Sequence, residues 1–207
     1  MSYTESMPAA RVQTFSSLAA QILQLPAPAI VAIDGRSASG KSTFTSRLTR
    51  ALGCQCVHTD DIAWNHSFFD WWPLLMQHIL EPFKAGQPVL WTPDAWLAHD
   101  RSGAISVQPA PILLVEGVSS TRRELREWMN YTIWMETDMQ LAESRGLERD
   151  GPDGYDFWFE WQRSEQPFFA ADQPWTRAAL IVDGAPSIAH DAETQFVTGK
   201  VSATSSH

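Results

Sequence analysis

Several groups of residues in this chain have types and spacings that could do chemistry. Gly35-Arg36-Ser37-Ala38-Ser39-Gly40-Lys41-Ser42, followed by Thr43, fits G-x-x-x-x-G-K-[ST], the spacing of a phosphate-binding P-loop. The glycines let the backbone curl until successive N–H groups point inward at an anion. Lys41 adds a mobile cation for terminal phosphates, and the Ser42 hydroxyl is placed to ligate Mg²⁺. Asp60-Asp61 is a pair of carboxylates, at least one of which could take a proton from an attacking hydroxyl or help hold a metal. A helix cap or a turn is the alternative. Glu116-Gly117 puts an acid at the tip of an apolar run, where it could hold Mg²⁺ directly or through water. Arg145 and Arg149 are four apart and share one helix face. They could close over a transferring phosphoryl group as a lid, or pair with Glu143, Glu148 or Asp150. Asp94, Trp96, His99, Asp100 and Arg101 form a polar and aromatic stretch suited to a substrate lip, or simply to a solvated loop.

These groups need a scaffold, and the flanking sequence supplies one. Residues 29–33 are an apolar, β-branched run that reads as a buried strand of a parallel sheet. Phe44, Leu48 and Leu52 then recur at helical spacing, so the glycine loop lies between a strand and the dipole-positive start of a helix, a ready anion site. Residues 54–61 read as a second strand ending in the two aspartates. Ligands of open α/β sheets bind beyond the carboxyl ends of the strands, which puts Asp60 and Asp61 on the side of the loop. A helix is expected after Pro73. A hairpin insertion is expected over 86–110, a third core strand over 111–117, a helix over 120–129, and strands at 131–136 and 179–184. Helices are expected at 138–150 and 155–171, with the lid over 143–155. Residues 1–26 read as a flexible start and a packing helix carrying Val12, Phe15, Leu18 and Ile22. A frayed tail is expected from residue 190. The loop at 185–187 is where a purine base could lie. The fold implied is α/β: a single P-loop NTPase domain over 1–207, three layers α/β/α, with a mainly parallel five-stranded sheet.

Composition narrows the class. The 207 residues suffice for one such domain, and a 44% hydrophobic share is globular. A net charge of −9 without a basic run argues against a nucleic-acid partner. No membrane-spanning run or leader is visible, so a cytoplasmic protein is expected. Cys54 and Cys56 read as buried thiols on opposite faces of a strand, unpaired in a reducing compartment. Ten tryptophans are many for this length. Trp64, Trp71, Trp72, Trp91 and Trp96 near strand ends suggest an aromatic-walled pocket, with satellite core packing as the alternative.

The order of P-loop, Asp60-Asp61, His99-x-Arg101, Glu116-Gly117 and Arg145-x-x-x-Arg149-Asp150 resembles the uridine kinase-like branch of P-loop small-molecule kinases, which includes phosphoribulokinase and bacterial pantothenate kinase. The resemblance covers roughly residues 27 to 188. It implies ATP and Mg²⁺ served by Lys41 and Ser42, with Glu116 as a metal acid and Asp60 as both base and metal neighbour. Asp61 is the reserve base. It further implies that His99 and Arg101 meet the acceptor and that Arg145 and Arg149 act from the lid; Asp61, Trp64 and Trp96 are expected beside them as substrate contacts. The Tyr-Asp-Phe that precedes the hairpin histidine in uridine kinases is Asp94-Ala95-Trp96 here. The lid is shorter and the aromatic content higher than in those enzymes.

The expectation is therefore a kinase that moves the γ-phosphate of ATP to a hydroxyl of a small molecule, a nucleoside or nucleoside-like compound. An antibiotic or other metabolite as acceptor is the alternative, as is a nucleotide-binding regulatory module without an acceptor. A GTPase-like switch lacks an N-K-x-D base reader in this chain. Oligomeric state is left open, a homo-oligomer included.

Overall fold

A computed structural model describes residues 10–199 of the chain. In chain order, β1 (Arg11–Thr14) leads into α1 (Phe15–Ile22), β2 (Ala29–Gly35), α2 (Lys41–Leu52), β3 (Gln55–His58) and α3 (Thr59–Ala63). A continuous helical stretch follows as α4 (Trp72–Leu75), a π-turn (Met76–Leu80) and α5 (Glu81–Lys84). Next come β4 (Val89–Trp91), α6 (Asp94–Ala98), β5 (Ile105–Val107), β6 (Ile112–Glu116) and β7 (Tyr131–Glu136). The chain ends with α7 (Met139–Asp150), α8 (Tyr155–Asp172), β8 (Leu180–Asp183) and β9 (Gln195–Thr198).

The main sheet runs β1-β9-β8-β7-β2-β6-β3. The segment β8-β7-β2-β6-β3 is parallel throughout, and these are the five strands expected. Every residue of β2 is buried, because helices cover both faces. Ala29, Val31 and Ile33 pack with α1 and α2 residues such as Phe15, Leu18 and Leu48. Ile30 points the other way, into a cluster with Ile62, Leu75 and Ile79. This alternation follows from the period of two along a strand. The chain leaves β2 for β3 on one side and β7 lies on the other, so the loop after β2 sits at a topological switch point, where such sheets bind ligands.

Several expectations are corrected. The sheet has seven strands, not five. Residues 11–14, expected as helix, pair antiparallel with β9 in the register Arg11↔Thr198. The helix starts only at Phe15, where the Thr14 hydroxyl accepts from the Ser17 N–H at 3.1 Å as an N-cap. The tail expected to fray from residue 190 instead forms β9, whose Phe196 packs on Phe15 and Phe44 with centroids 5.2 and 5.3 Å apart. The rest of that tail, from residue 200, and the start over 1–9 lie outside the described residues. Over 120–129 a single 3-10 turn, Arg123–Leu125, replaces the expected helix. The backbone there is engaged elsewhere: Ser119 and Thr121 donate to buried Asp34, and the Ser120 hydroxyl donates to the Ile33 carbonyl. Cys54 and Cys56 pack against one cluster rather than on opposite faces, as positions two apart on an extended chain must. Both thiols are free, and burial pushes that of Cys54 up to about 11. The hairpin forms as expected from β4 and β5, with α6 at its tip. No helix among the described residues is long and apolar enough to cross a membrane.

Candidate active site

The glycine loop connects the end of β2 to the start of α2. Gly35 has φ +155°, and a Cβ there would lie 2.7 Å from the Met135 carbonyl oxygen of the neighbouring strand. Only glycine lets the two strands stay that close while the loop turns. Residues Ser37 to Thr43 line a cavity of about 890 Å³. Gly35 and Arg36 do not line it. The Arg36 guanidinium instead lies over the Phe169 ring at 5.3 Å. Lys41 is buried and its ammonium bridges the loop, donating to the carbonyls of Gly35 at 2.9 Å and Arg36 at 2.8 Å.

The acids converge on the same cavity. Glu116 ends β6 beside β2 and faces the loop, with Oε1 3.4 Å from the Ser42 hydroxyl. Its other oxygen meets His58 Nδ1 at 2.6 Å. That contact holds the carboxylate in place and raises the His58 pKa, burial opposing. Asp60 falls in the first turn of α3, two residues beyond the end of β3, and lines the cavity with Glu116. Its side chain is exposed. Even so, loss of hydration from the protein packed around it raises its carboxyl above the usual range; Lys41 opposes this and Glu116 adds to it. A carboxylate so placed gains basicity, which suits proton acceptance near neutral pH.

Arg145 and Arg149 both project from α7 and line the cavity. Arg145 also donates to the Gly184 carbonyl at 3.0 Å, tying α7 to the end of β8. Arg149 forms a two-bond pair with Asp150, at 2.6 and 2.8 Å. The turn at 151–154 is one 3-10 turn leading directly into α8.

The expected acceptor-reading residues gather into a cluster of their own. Arg101 bonds Asp61 at 2.5 Å and lies 3.6 Å over the Trp96 ring. The indole N–H of Trp96 donates to the Asp61 carbonyl at 2.7 Å, which turns this side chain inward until it is 5% exposed. His99 meets Trp64 edge-on at 5.7 Å. Of Asp61, Trp64, Trp96, His99 and Arg101, only Trp64 lines the cavity. The aromatic wall expected from Trp64, Trp71, Trp72, Trp91 and Trp96 is likewise built from other residues. Trp71 is core, Trp72 packs against it, and Trp91 stacks on His78 at 4.3 Å. Besides Trp64, the wall is Phe68 with Phe157, Trp158 and Trp161 of α8.

Other residues of the site were not singled out from the sequence. Asp34 is fully buried behind the loop and accepts from Gly35 N–H, Ser119 N–H, and the Thr121 N–H and hydroxyl, at 2.7 to 2.9 Å. Burial nevertheless pushes its carboxyl up to about 6. Its position inside an apolar strand run, directly before the first motif glycine, was a usable signal. Glu165 of α8 is also fully buried. It accepts from the Ser37 backbone N–H at 2.7 Å and the Trp161 indole at 3.2 Å, and its second oxygen accepts from the Gln162 amide at 3.2 Å. It thus fixes one edge of the phosphate loop to α8. No local spacing announces a contact between residues 128 positions apart.

A second cavity of about 700 Å³ lies on the other side of the loop, lined by Thr43, Phe44, Arg47, Gly184, Ala185 and Pro186 among others. The expected 185–187 loop therefore borders the glycine loop.

A scan against protein-family models finds no match. The chain is 30% identical to the uridine kinase of Proteus mirabilis (strain HI4320) over 145 residues, 58% of this chain and 68% of that protein. It is 28% identical to the uridine kinase of Pasteurella multocida (strain Pm70) over 149 residues, again 68% of that protein. Among solved structures, a possible uridine kinase from Bacillus stearothermophilus superposes with a TM-score of 0.55 at 16% identity, covering 81% of this chain and 96% of the other. That likeness is one of fold.

Proposed function

The chain belongs to the uridine kinase family, and from that premise we propose that it transfers the γ-phosphate of ATP to a hydroxyl of a small, nucleoside-like molecule. It is a small-molecule kinase; the nucleotide, the acceptor and the residue roles are the proposal. The observation that carries them is the convergence of Ser37–Thr43, Glu116 and Asp60 on one cavity.

In this reading the inward N–H groups of the loop and the start of α2 hold the β- and γ-phosphates. Lys41 exchanges its loop carbonyls for phosphate oxygens. The second cavity, beside Ala185 and Pro186, takes the adenine. Mg²⁺ fits the donor set: Ser42 and Glu116 offer hard oxygens 3.4 Å apart, with Asp60 on the same cavity. Among the described residues no cluster of three or more His, Cys, Asp or Glu could hold a metal ion, so the ion would need phosphate and water oxygens as its remaining ligands. When bound, the metal neutralises phosphate charge. Asp60 orients the acceptor hydroxyl and takes its proton, and Arg145 and Arg149 offset charge on the transferring group.

The test is ADP release with ATP and Mg²⁺, with and without uridine, cytidine and a panel of other alcohols. ADP formation that depends on an acceptor is expected. ATP bound tightly, with ADP release unchanged by every acceptor, overturns the reading in favour of a binding module.

A further inference from the structure

Glu116 owes its position to a residue with no motif of its own. β3 and β6 run side by side in parallel register with His58 opposite Glu116. Both side chains therefore rise from one face of the sheet, at the end where such sheets bind ligands. The strand ends sit close because residue 117 is glycine: a Cβ there would lie 1.8 Å from the Thr59 hydroxyl oxygen. His58 Nδ1 then meets Glu116 Oε2 at 2.6 Å. A carboxylate only accepts, so Nδ1 carries the hydrogen. The Glu116 side chain is 7% exposed and that of His58 49%, so the acid is enclosed and its partner sits at the rim.

The two oxygens of Glu116 consequently have different duties. Oε2 is taken by His58. Oε1 lies 3.4 Å from the Ser42 hydroxyl, and both residues line the main cavity with the phosphate loop. A short, charge-assisted hydrogen bond to one oxygen withdraws it from coordination and fixes the direction of the other, as the outer partners of metal ligands do. Cations differ in what this leaves them. Calcium gathers about six to eight oxygens and readily takes both oxygens of one carboxylate. Magnesium demands an octahedron, keeps several waters, and needs little from the protein beyond a carboxylate and the substrate phosphates. An acid with a single free oxygen suits the second ion and denies the first its two-oxygen contact.

We propose that His58 is the positioning residue for the nucleotide's metal: it holds Glu116 to one free oxygen and so selects a small octahedral cation such as Mg²⁺ over Ca²⁺. The inference rests on the kinase reading and deepens it. His58 touches neither metal nor substrate and acts through Glu116. Removing the imidazole frees Oε2 and lets the carboxylate rotate, which weakens binding of the small ion and offers the larger one a second oxygen.

The experiment is Mn²⁺ binding, read from the electron paramagnetic resonance of the free ion, to the full chain saturated with a non-hydrolysable ATP analogue. Mg²⁺ and Ca²⁺ serve as competitors and the analogue alone as reference. Wild type should hold Mn²⁺ more tightly than the analogue alone does, and should release it to Mg²⁺ at lower concentration than to Ca²⁺. His58→Ala should weaken Mn²⁺ by about tenfold or more and lose the preference for Mg²⁺. His58→Asn, whose side-chain amide sets an N–H at the same remove from the backbone as Nδ1, should recover both to within about threefold. An alanine variant with wild-type affinity and preference overturns the proposal. So does an asparagine variant that behaves like alanine, because the N–H is then not what matters. A wild type that holds Mn²⁺ no tighter than the analogue alone also overturns it; if that protein still forms ADP only with an acceptor, the kinase reading stands. The His58 effect on metal binding in a protein that phosphorylates no alcohol does the reverse.

Discussion

Replacing Glu165 tests whether α8 holds the phosphate loop in shape. The side chain is fully buried, and one of its oxygens accepts from both the Ser37 N–H and the Trp161 indole N–H. Glu165→Ala takes the acceptor away from two part-buried donors on the cavity wall, and each donor left unpaired costs about 1–3 kcal/mol. The expected loss is therefore about 2–6 kcal/mol, a large fraction of the stability of a domain this size. With a urea slope of about 2 kcal/mol/M, the unfolding midpoint should fall by about 1–3 M at constant slope. Glu165→Gln keeps one acceptor oxygen for Ser37, and the Gln162 amide can turn to face the new one. Its loss should stay near about 1 kcal/mol. A loop-shaping role also predicts a kinetic split: the KM for ATP rises in the alanine variant and recovers in the glutamine variant. If Glu165→Ala unfolds at the wild-type midpoint with an unchanged KM for ATP, the argument that this carboxyl anchors the loop is wrong.

Other expectations are as direct. The Asp34 carboxyl stands at about 6, raised from 3.8 by burial, so the folded state binds its proton more tightly than the unfolded chain. The stability this gives is full below about pH 4 and is lost as pH rises to about 6, a change of about 3 kcal/mol. Urea titrations of wild type and Asp34→Asn across that window should show their difference shifting by that amount against the wild type, and a constant difference refutes it. At Gly146 an added methyl would lie 2.1 Å from the Trp158 ring, so Gly146→Ala should cost about 1–3 kcal/mol through overpacking; an unchanged Tm would show that the helices yield freely. Arg101→Ala should change the acceptor KM by less than about threefold, because Arg101 is held by Asp61 and Trp96 and does not line the cavity. A tenfold rise would show that Arg101 reads the acceptor after all.

The parts of the site legible in sequence are those set by local spacing. The glycine loop between strand and helix and the acid closing an apolar run at Glu116 identify themselves within a few residues, and the parallel order of their strands follows. Asp60 is legible from its place after a strand, although choosing it over Asp61 took a family resemblance. The geometry separates the pair: Asp60 faces the cavity while Asp61 holds Arg101. What stayed hidden depends on distant partners. Trp96 has the composition of a lip residue, but its indole N–H finds a carbonyl inside and the ring becomes core. Phe157 and Trp161 look like ordinary helix residues until the packing of α7 and α8 turns them to the cavity. β9 is strand because Phe196 reaches α1 and α2 and because its backbone pairs with β1 at the opposite end of the chain. Neither is visible in a stretch rich in small polar residues.

The central claim is that Asp60 activates an acceptor hydroxyl for attack on bound ATP. It is tested most directly by comparing wild type and Asp60→Asn for acceptor-dependent ADP formation and, in the same samples, for ATP affinity. The account predicts a fall in kcat of about 10² to 10⁴ with ATP affinity within about threefold, since the phosphates are held by the loop. Turnover retained in Asp60→Asn would contradict it.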